Sequence, residues 1–220
     1  MSCDQDAVVV VRIGDPLCRQ CFEEYFLHKF RSTLSKSKIF DKGERVLIGY
    51  SGGSSSTALI HLIHDGLSLR TKKRILLEPH VVFIDETCLY ENVCSKLITD
   101  KVTELVSTKL GYPLHILPLN QNFNEDECDL NEYIRSTKSL TAREELVRRL
   151  KLNLLIETAR KEQCSKLLLA DNCTKLAAQI LSDMCNGKGA HVAFDSDERF
   201  NVCYACRRLL KDLVGVNDRA

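Results

Sequence analysis

Short apolar runs alternate with amphipathic segments through most of the chain. The runs predict buried strands at 46–50, 81–84, 114–119 and 166–170. Around them, apolar residues recur every three or four positions, which predicts helices at 55–68, 92–110, 141–162 and 172–185. Strands that alternate with helices pair in parallel, so the pattern predicts an α/β domain with a parallel sheet and helices on both faces. Thr141 and Glu144 have capping-box spacing at the start of one helix.

Cysteine pairs lie outside this alternation, one near each end of the chain. Cys18 and Cys21 precede an amphipathic helix predicted at 22–35, and a second Cys-x-x-Cys pair falls near residue 205. The predicted organisation has three parts: an N-terminal cysteine knuckle with a basic helix at 1–40, an α/β domain at 41–200 and a C-terminal cysteine-pair tail at 201–220.

Composition narrows the class of protein. The chain of 220 residues has 31 Lys and Arg against 30 Asp and Glu, so contact with a nucleic acid would depend on local basic patches. The chain has 11 cysteines and no recognisable export signal. We therefore expect packed thiols or metal ligation rather than a disulfide framework. No apolar run reaches the roughly 20 residues that cross a bilayer. We expect a soluble intracellular protein.

The segment from Ser51 to Ser56 joins the first predicted strand of the sheet to a helix. Its residues are Ser51, Gly52, Gly53, Ser54, Ser55 and Ser56. It matches neither G-x-x-x-x-G-K-[ST] nor G-x-G-x-x-G. Glycines nevertheless let the backbone approach a ligand, and the start of a helix attracts an anion. The segment is therefore a candidate pyrophosphate loop, although a plain Gly/Ser turn before a helix would look similar.

Aspartates follow two other predicted strands. Asp85 comes after the second strand and Asp171 after the fourth. In open α/β sheets, ligands bind beyond the carboxyl ends of the strands. We therefore predict a nucleotide site that combines the loop with Asp85 and Asp171.

The loop resembles the SGGxDS loop of the PP-loop ATP pyrophosphatases, which adenylate a substrate with ATP. Within that superfamily, residues 7 to about 200 resemble the cytoplasmic tRNA 2-thiolation protein 2 family. Five further motifs carry the resemblance: GDPLCRQCF at 14–22, YFLHKFR at 25–31, FIDE at 83–86, LTAREEL at 140–146 and DNCTKLA at 171–177. Their order and spacing make a chance resemblance improbable.

This resemblance implies a PP-loop, or adenine nucleotide alpha-hydrolase-like, fold. It implies a cytoplasmic role in replacing the 2-oxygen of the wobble uridine of Lys, Glu and Gln tRNAs with sulfur. The implied partners are the catalytic cytoplasmic tRNA 2-thiolation protein 1, the tRNA and a ubiquitin-related modifier that delivers sulfur as a thiocarboxylate. Family members continue for a long stretch beyond the part that corresponds to residue 200, so the resemblance also implies a shortened form.

The chain departs from the catalytic members of the superfamily at two places. Ser55 stands where their loop carries an aspartate, and a neutral hydroxyl is a weak ligand for magnesium. Thr174 and Lys175 stand where the catalytic members carry paired aspartates. We therefore expect a non-catalytic subunit whose loop keeps the shape of a pyrophosphate cradle, with residual binding of ATP or of a tRNA phosphate left as alternatives. An active adenylating sulfurtransferase that uses Cys173, and a nucleotide-binding module without an RNA role, are the competing hypotheses.

The cysteine pairs are candidate zinc ligands, because a structural zinc takes about four ligands in a tetrahedron. One hypothesis joins the two pairs in one site, formed by Cys18, Cys21, Cys203 and Cys206. Another combines Cys3, Cys18, Cys21 and His28. An incomplete or empty site is the third alternative.

A basic tract beside the first cysteine pair is the candidate tRNA surface. Phosphate contacts need such local density of positive charge even when the net charge of the chain is near zero. The predicted contact residues are Lys29, Arg31, Lys36 and Lys38. Phe26 and Phe30 lie among them, and their rings either stack on bases or belong to the core.

Overall fold

The computed structural model describes residues 3, 5–12, 14–37, 40–68, 75–90, 93–121 and 130–187. The strands described are β1 (Val9–Arg12), β2 (Asp15–Leu17), β3 (Glu44–Tyr50), β4 (Leu77–Asp85), β5 (Leu114–Pro118) and β6 (Lys166–Leu168). The helices are α1 (Arg19–Ser37), α2 (Ser54–Leu67), α3 (Ser95–Thr103), α4 (Leu130–Ser136), α5 (Leu140–Lys161) and α6 (Cys173–Cys185). A 3-10 turn covers Thr87–Leu89, and α3 continues as a π-helix over Glu104–Lys109.

The chain divides into two compact units by its internal contacts. One comprises residues 43–57 and 78–169, and the other comprises 1–42, 58–77 and 170–220. The predicted three-part division of the chain stays a prediction, and its tail at 201–220 lies outside the described residues.

The first unit contains the four-stranded sheet, in the order β5-β4-β3-β6. The pairing is parallel, with Ile48 of β3 opposite Leu168 of β6 and Ile84 of β4 opposite Leu117 of β5. The predicted fold class, a parallel α/β sheet, is confirmed. Because β4 and β6 flank β3, the strand order reverses at β3. The carboxyl end of β3 is therefore at a topological switch point, where such sheets bind ligands.

Helix α5 covers one face of this sheet. Leu155 of α5 packs with Leu47 of β3 and Val82 of β4. Neighbouring residues of β3 point to the opposite face, and Val46 and Ile48 are 0% exposed there. Burial on both faces explains why β3 reads as a continuous apolar run rather than an alternating one.

The predicted capping box does not form at the start of α5. The helix begins at Leu140 with Ser139 as N-cap, and no side chain caps it, so Thr141 is already inside the first turn. Arg143 contributes contacts there instead, because its guanidinium donates to the carbonyl oxygens of Arg135 and Thr137 at 3.0 and 2.7 Å. This side chain ties the first turn of α5 to the end of α4.

In the second unit, β1 and β2 form an antiparallel hairpin, with Val9 opposite Leu17. The turn between them contains Gly14 at φ +90°, a backbone conformation that suits glycine. Helix α1 follows, and its residues Phe30 and Leu34 are buried. The basic helix predicted at 22–35 is confirmed and extends by a few residues at both ends.

Within the described ranges, every helix is too short or too polar to span a membrane.

Candidate functional site

The loop after β3 is closed by its own residues. The backbone N–H of Ser51 donates to Ser56 Oγ at 3.3 Å, and the two hydroxyl oxygens lie 3.2 Å apart. Ser56 Oγ also donates to the carbonyl oxygen of Gly53 at 3.0 Å, and Ser56 is only 2% exposed. A hydroxyl inside the loop therefore holds its shape, without any ligand.

The outer surface of the same loop presents backbone donors. Ser51, Gly52, Gly53 and Ser54 are exposed, and Gly52 adopts φ +74° in the turn. Helix α2 starts at Ser54 without an acidic residue in its first turn. The first amides of a helix lack intrahelical acceptors and carry partial positive charge, so this surface suits an anion. Binding of a nucleotide there, with Ser55 as part of the loop, stays a prediction.

Asp85 ends β4 and organises the turn that follows. Its Oδ1 accepts from the backbone N–H of Thr87 at 2.9 Å, and its Oδ2 accepts from the hydroxyl of Ser95. Burial raises the pKa of Asp85, but the hydrogen bonds from Ser95 and Thr87 outweigh it, so the pKa lies below the ordinary 3.8. Asp85 is thus an ionised carboxylate with both oxygens engaged. Its predicted contact with a nucleotide stays a prediction.

An ion pair lies immediately after Asp85 in the sequence. Lys151 Nζ of α5 is 2.6 Å from Glu86 Oε2, and both side chains are partly buried. The pair fixes a charge of each sign next to the carboxyl end of β4. Sequence reasoning missed it because nothing in a local pattern links two residues so far apart in the chain.

Asp171 follows β6 and belongs to the second unit. The next residue, Asn172, is the N-cap of α6, and its side chain accepts from the backbone N–H of Lys175 at 2.8 Å. Thr174 and Lys175 are exposed in the first turn of that helix. The motif at 171–177 therefore builds a capped helix start, and the nucleotide contact predicted for Asp171 stays a prediction.

Three thiols meet where the N-terminal hairpin leads into α1. The sulfur atoms of Cys3, Cys18 and Cys21 all lie within 4.8 Å of one another, and those of Cys3 and Cys18 are 3.4 Å apart. Cys18 is buried, and its sulfur accepts from the backbone N–H of Cys21 at 3.4 Å. The structure thus brings together Cys18 and Cys21, which both hypotheses share, and Cys3, which only the second includes.

The separation of these sulfur atoms fits one tetrahedral ion. Ligands at the zinc–sulfur distance of about 2.3 Å lie about 3.8 Å apart around a tetrahedron. In an iron–sulfur cluster each cysteine binds a different iron, which places the sulfur atoms farther apart. His28 is not part of the cluster, and Cys203 and Cys206 lie outside the described residues. The three described thiols could hold a metal ion, and zinc as that ion and the identity of a fourth ligand stay predictions.

The pKa values of Cys18 and Cys21, the two thiols of the Cys-x-x-Cys pair, are shifted in opposite directions. The hydrogen bond from the Cys21 backbone, followed by that from the Cys3 thiol, lowers the pKa of Cys18. The shared hydrogen bonds with Cys18 and Cys3, together with burial, raise the pKa of Cys21 to about 11. Cys18 therefore loses its proton more readily than Cys21, and a bound dication would favour the thiolate form of both.

The predicted tRNA tract lies on α1, where its described side chains already contact the protein. Lys29 Nζ is 5.5 Å from the centroid of the Tyr25 ring, a cation–π distance. Arg31 donates through Nε to the Leu27 carbonyl oxygen at 3.3 Å, and its guanidinium lies 3.8 Å from Asp65. Phe30 is 2% exposed, so its ring belongs to the core. The side chains of Lys36 and Lys38 lie outside the described residues.

Comparisons with known proteins support one family. No family model matches the chain. Cytoplasmic tRNA 2-thiolation protein 2 of Bos taurus is 30% identical over 87% of this chain, and the proteins of the same name from Danio rerio and Homo sapiens are each 27% identical over 91% and 87% of it. The chain is a homologue of cytoplasmic tRNA 2-thiolation protein 2. It spans about half the length of these relatives, 51% of the bovine and 52% of the zebrafish protein.

A solved structure shares the fold of this thiolation protein 2 homologue. The U34-tRNA thiolase NcsA from Methanococcus maripaludis, solved with its [4Fe-4S] cluster, superposes with a TM-score of 0.63 at 16% sequence identity. The match covers 93% of this chain and 68% of the thiolase. At this level of identity the likeness shows the fold alone, which agrees with the PP-loop fold implied by Ser51 to Ser56.

Two contacts of the site were not predicted from the sequence. The Ser95 hydroxyl on Asp85 could not be found, because a serine at a helix start has many local uses. The closing role of Ser56 was also missed, although its burial before an apolar helix is a signal that such a serine bonds inward.

Proposed function

We propose that this chain is a cytoplasmic subunit of the machinery that 2-thiolates the wobble uridine of Lys, Glu and Gln tRNAs, and that it supports catalysis without carrying it out. The observation that carries this proposal is the homology to cytoplasmic tRNA 2-thiolation protein 2 over 87% of the chain. The catalytic PP-loop subunit, cytoplasmic tRNA 2-thiolation protein 1, is the proposed partner. A thiocarboxylated ubiquitin-related modifier is the proposed sulfur donor.

The charges around the loop support a non-catalytic role. Magnesium bound to ATP phosphates needs oxygen ligands, carboxylates above all. The first turn of α2 has no acidic residue, and Ser55 offers a neutral hydroxyl at the position where active relatives have aspartate. Asp85 already uses both oxygens on Thr87 and Ser95. The loop is therefore suited to hold a phosphate group through its amides rather than to activate one.

Helix α1 supplies the proposed contact with tRNA. Lys29 and Arg31 are two residues apart on it, so their side chains point to different sides of the helix, and each is proposed to contact a separate phosphate. The ammonium group of Lys29 is positioned over the Tyr25 ring, and Arg31 is oriented by Leu27 and Asp65. Preorganised side chains lose less conformational entropy on binding.

A zinc ion bound by Cys3, Cys18 and Cys21 is the proposed structural cofactor. It would join the N-terminal segment to the start of α1, which carries the tRNA contacts. Three ligands come from the described residues, and Cys203 and Cys206 are the proposed source of the fourth.

The experiment that tests the function is reconstitution with purified components. This chain and the catalytic subunit are incubated separately and together with ATP, the thiocarboxylated modifier and unmodified Lys, Glu and Gln tRNAs. The thiouridine formed in each tRNA is then measured. We expect thiouridine only from the pair, and no ATP–pyrophosphate exchange from this chain alone.

Two results would contradict the proposal. Thiouridine or pyrophosphate exchange from this chain alone would make it an active sulfurtransferase. Full activity of the catalytic subunit without it, combined with no tRNA binding by this chain, would leave only a nucleotide-binding module. A variant with Arg19→Glu serves as control for Lys29→Glu and Arg31→Glu, because Arg19 is also on α1 but is exposed and pairs with Glu23.

A further inference from the structure

Two histidines and a glutamate meet in the sheet-containing unit, away from the loop. His80 lies on β4, His115 on β5, and Glu162 directly after α5. One ligand atom from each of the three residues can be chosen so that all lie within 4.8 Å of one another. None of the three residues belongs to the loop at 51–56 or to the cluster of Cys3, Cys18 and Cys21.

The fold itself brings the three residues together. Val82 of β4 lies opposite His115 of β5 in the parallel register. Because side chains alternate along a strand, His80 points to the same face as Val82. The two imidazole rings are stacked, with centroids 6.0 Å apart and an interplanar angle of 11°. Helix α5 packs on this face and ends there, which brings Glu162 against His115.

The polar atoms of the group are not satisfied by the described residues. Nδ1 of His80 and Nε2 of His115 are buried without a hydrogen-bond partner there. Buried imidazole nitrogens are normally paired, since burying one without a partner costs its hydration. Two such atoms on adjacent stacked rings therefore indicate a ligand.

The distance between His115 and Glu162 points to the same conclusion. Nδ1 of His115 is 3.6 Å from Oε1 of Glu162. This is longer than the 2.7–3.2 Å of an ordinary hydrogen bond. Glu162 Oε1 is therefore not held by a short hydrogen bond from Nδ1 of His115, which leaves the carboxylate available to bind an ion.

We propose that His80, His115 and Glu162 bind a divalent transition-metal ion of the zinc class. Two imidazoles and a carboxylate suit such ions better than magnesium or calcium, which prefer all-oxygen sites. His115 and Glu162 are each 26% exposed, which leaves a solvent-facing position for a fourth ligand. Asp85 is five residues beyond His80 on β4, roughly 16 Å along the strand, so this ion is separate from the loop.

The ion would fasten the end of α5 to the neighbouring strands β4 and β5. Its binding energy adds to stability, because only the folded chain brings the three ligands together. The proposal is independent of the proposed function in tRNA thiolation.

The test uses the full chain with the proposed cysteine ligands removed by Cys3→Ser, Cys18→Ser, Cys21→Ser, Cys203→Ser and Cys206→Ser. Zn²⁺ binding is measured by titration calorimetry, and Co²⁺ is used as an optical probe. Because a site of two imidazoles and a carboxylate has no sulfur ligand, we expect cobalt d–d bands without a thiolate charge-transfer band. Zinc should also raise the melting temperature of this variant, and Mg²⁺ should not.

Single changes in the same background identify the ligands. We expect His115→Ala and Glu162→Gln each to weaken Zn²⁺ affinity by more than about tenfold and to abolish the thermal shift. His61→Ala is the matched control, because His61 is exposed on α2 and lies outside the group. Glu162→Gln preserves the size of the side chain, and circular dichroism confirms folding of each variant. Zinc affinity unchanged in Glu162→Gln and His115→Ala, or no zinc binding in the parent variant, would overturn the proposal.

Discussion

Ser51 donates its backbone N–H to the hydroxyl of Ser56 at 3.3 Å, so the loop after β3 is closed by a side chain from the helix that follows it. The same hydroxyl donates to Gly53. The loop shape therefore depends on Ser56 rather than on a charged residue at position 55. The predicted pyrophosphate loop can therefore hold its shape without an aspartate at position 55.

We expect Ser56→Ala to lower the free energy of unfolding by about 1–2 kcal/mol. It removes the hydrogen bonds of Ser56 with Gly53 and with the Ser51 N–H, and each such bond contributes about 0.5–1.5 kcal/mol. Urea denaturation of the purified chain measures the difference. Ser55→Ala is the control and should change stability by less than about 0.5 kcal/mol. Equal stability of the two variants would mean that the hydroxyl does not hold the loop.

Gly52 and Gly53 should have different roles, Gly52 in the stability of the fold and Gly53 in the binding of an anion. Gly52 has φ +74°, so Gly52→Ala should destabilise the fold by about 1–2 kcal/mol. At Gly53 an added Cβ would meet only Ser51 Oγ at 3.5 Å, an ordinary contact. Gly53→Ala should therefore fold normally but bind pyrophosphate or tRNA more weakly, because the methyl group lies where the anion approaches.

Thermal melts and pyrophosphate titrations of both glycine variants separate these effects. If Gly53→Ala binds pyrophosphate and tRNA as tightly as the unchanged chain, the loop surface does not contact phosphate.

Asp85 should make stability depend on pH. Because its folded pKa lies below 3.8, its charged form stabilises the fold above that pH, and this contribution disappears as the pH falls through the folded pKa. We expect the unchanged chain to exceed Asp85→Asn by about 1 kcal/mol at pH 7, with the difference shrinking at acidic pH. Ser95→Ala keeps the carboxylate but removes one of its hydrogen bonds, so at pH 7 it should be destabilised less than Asp85→Asn. A gap of constant size from pH 7 to pH 3 would contradict the role of the charge.

The sequence predicted the sheet well because local patterns determine it. The apolar runs that became β3 and β4 are buried on both faces, and such runs have no competing interpretation when helices alternate with them. The capping box at Thr141 failed for a tertiary reason. Arg143 binds carbonyl oxygens at and just after the end of α4, and the N-cap is Ser139, two residues before the Thr141 of the motif.

The site was less predictable, because its contacts join distant parts of the chain. Cys18 and Cys21 were visible as a spaced pair, and Cys3 joined them as one of two alternatives. His80, His115 and Glu162 lie on three elements and follow no spacing rule, so only the strand register and the end of α5 bring them together. The basic tract was visible, but the burial of Phe30 and the pairing of Arg31 with Asp65 depend on tertiary packing.

The cysteine cluster should bind metal through Cys18 above all. Its pKa is lowered while that of Cys21 is raised to about 11, so Cys18 provides the first thiolate and the ion then promotes loss of the Cys21 proton. We expect zinc-loaded protein to contain one more equivalent of zinc than Cys18→Ser, as measured by metal analysis after gel filtration. Cys185→Ser is the control, because Cys185 is exposed on α6 and lies outside the cluster. Chelation should lower the melting temperature of the control but change that of Cys18→Ser less. Equal zinc content in Cys18→Ser and the control would show that the three thiols pack together without holding a metal.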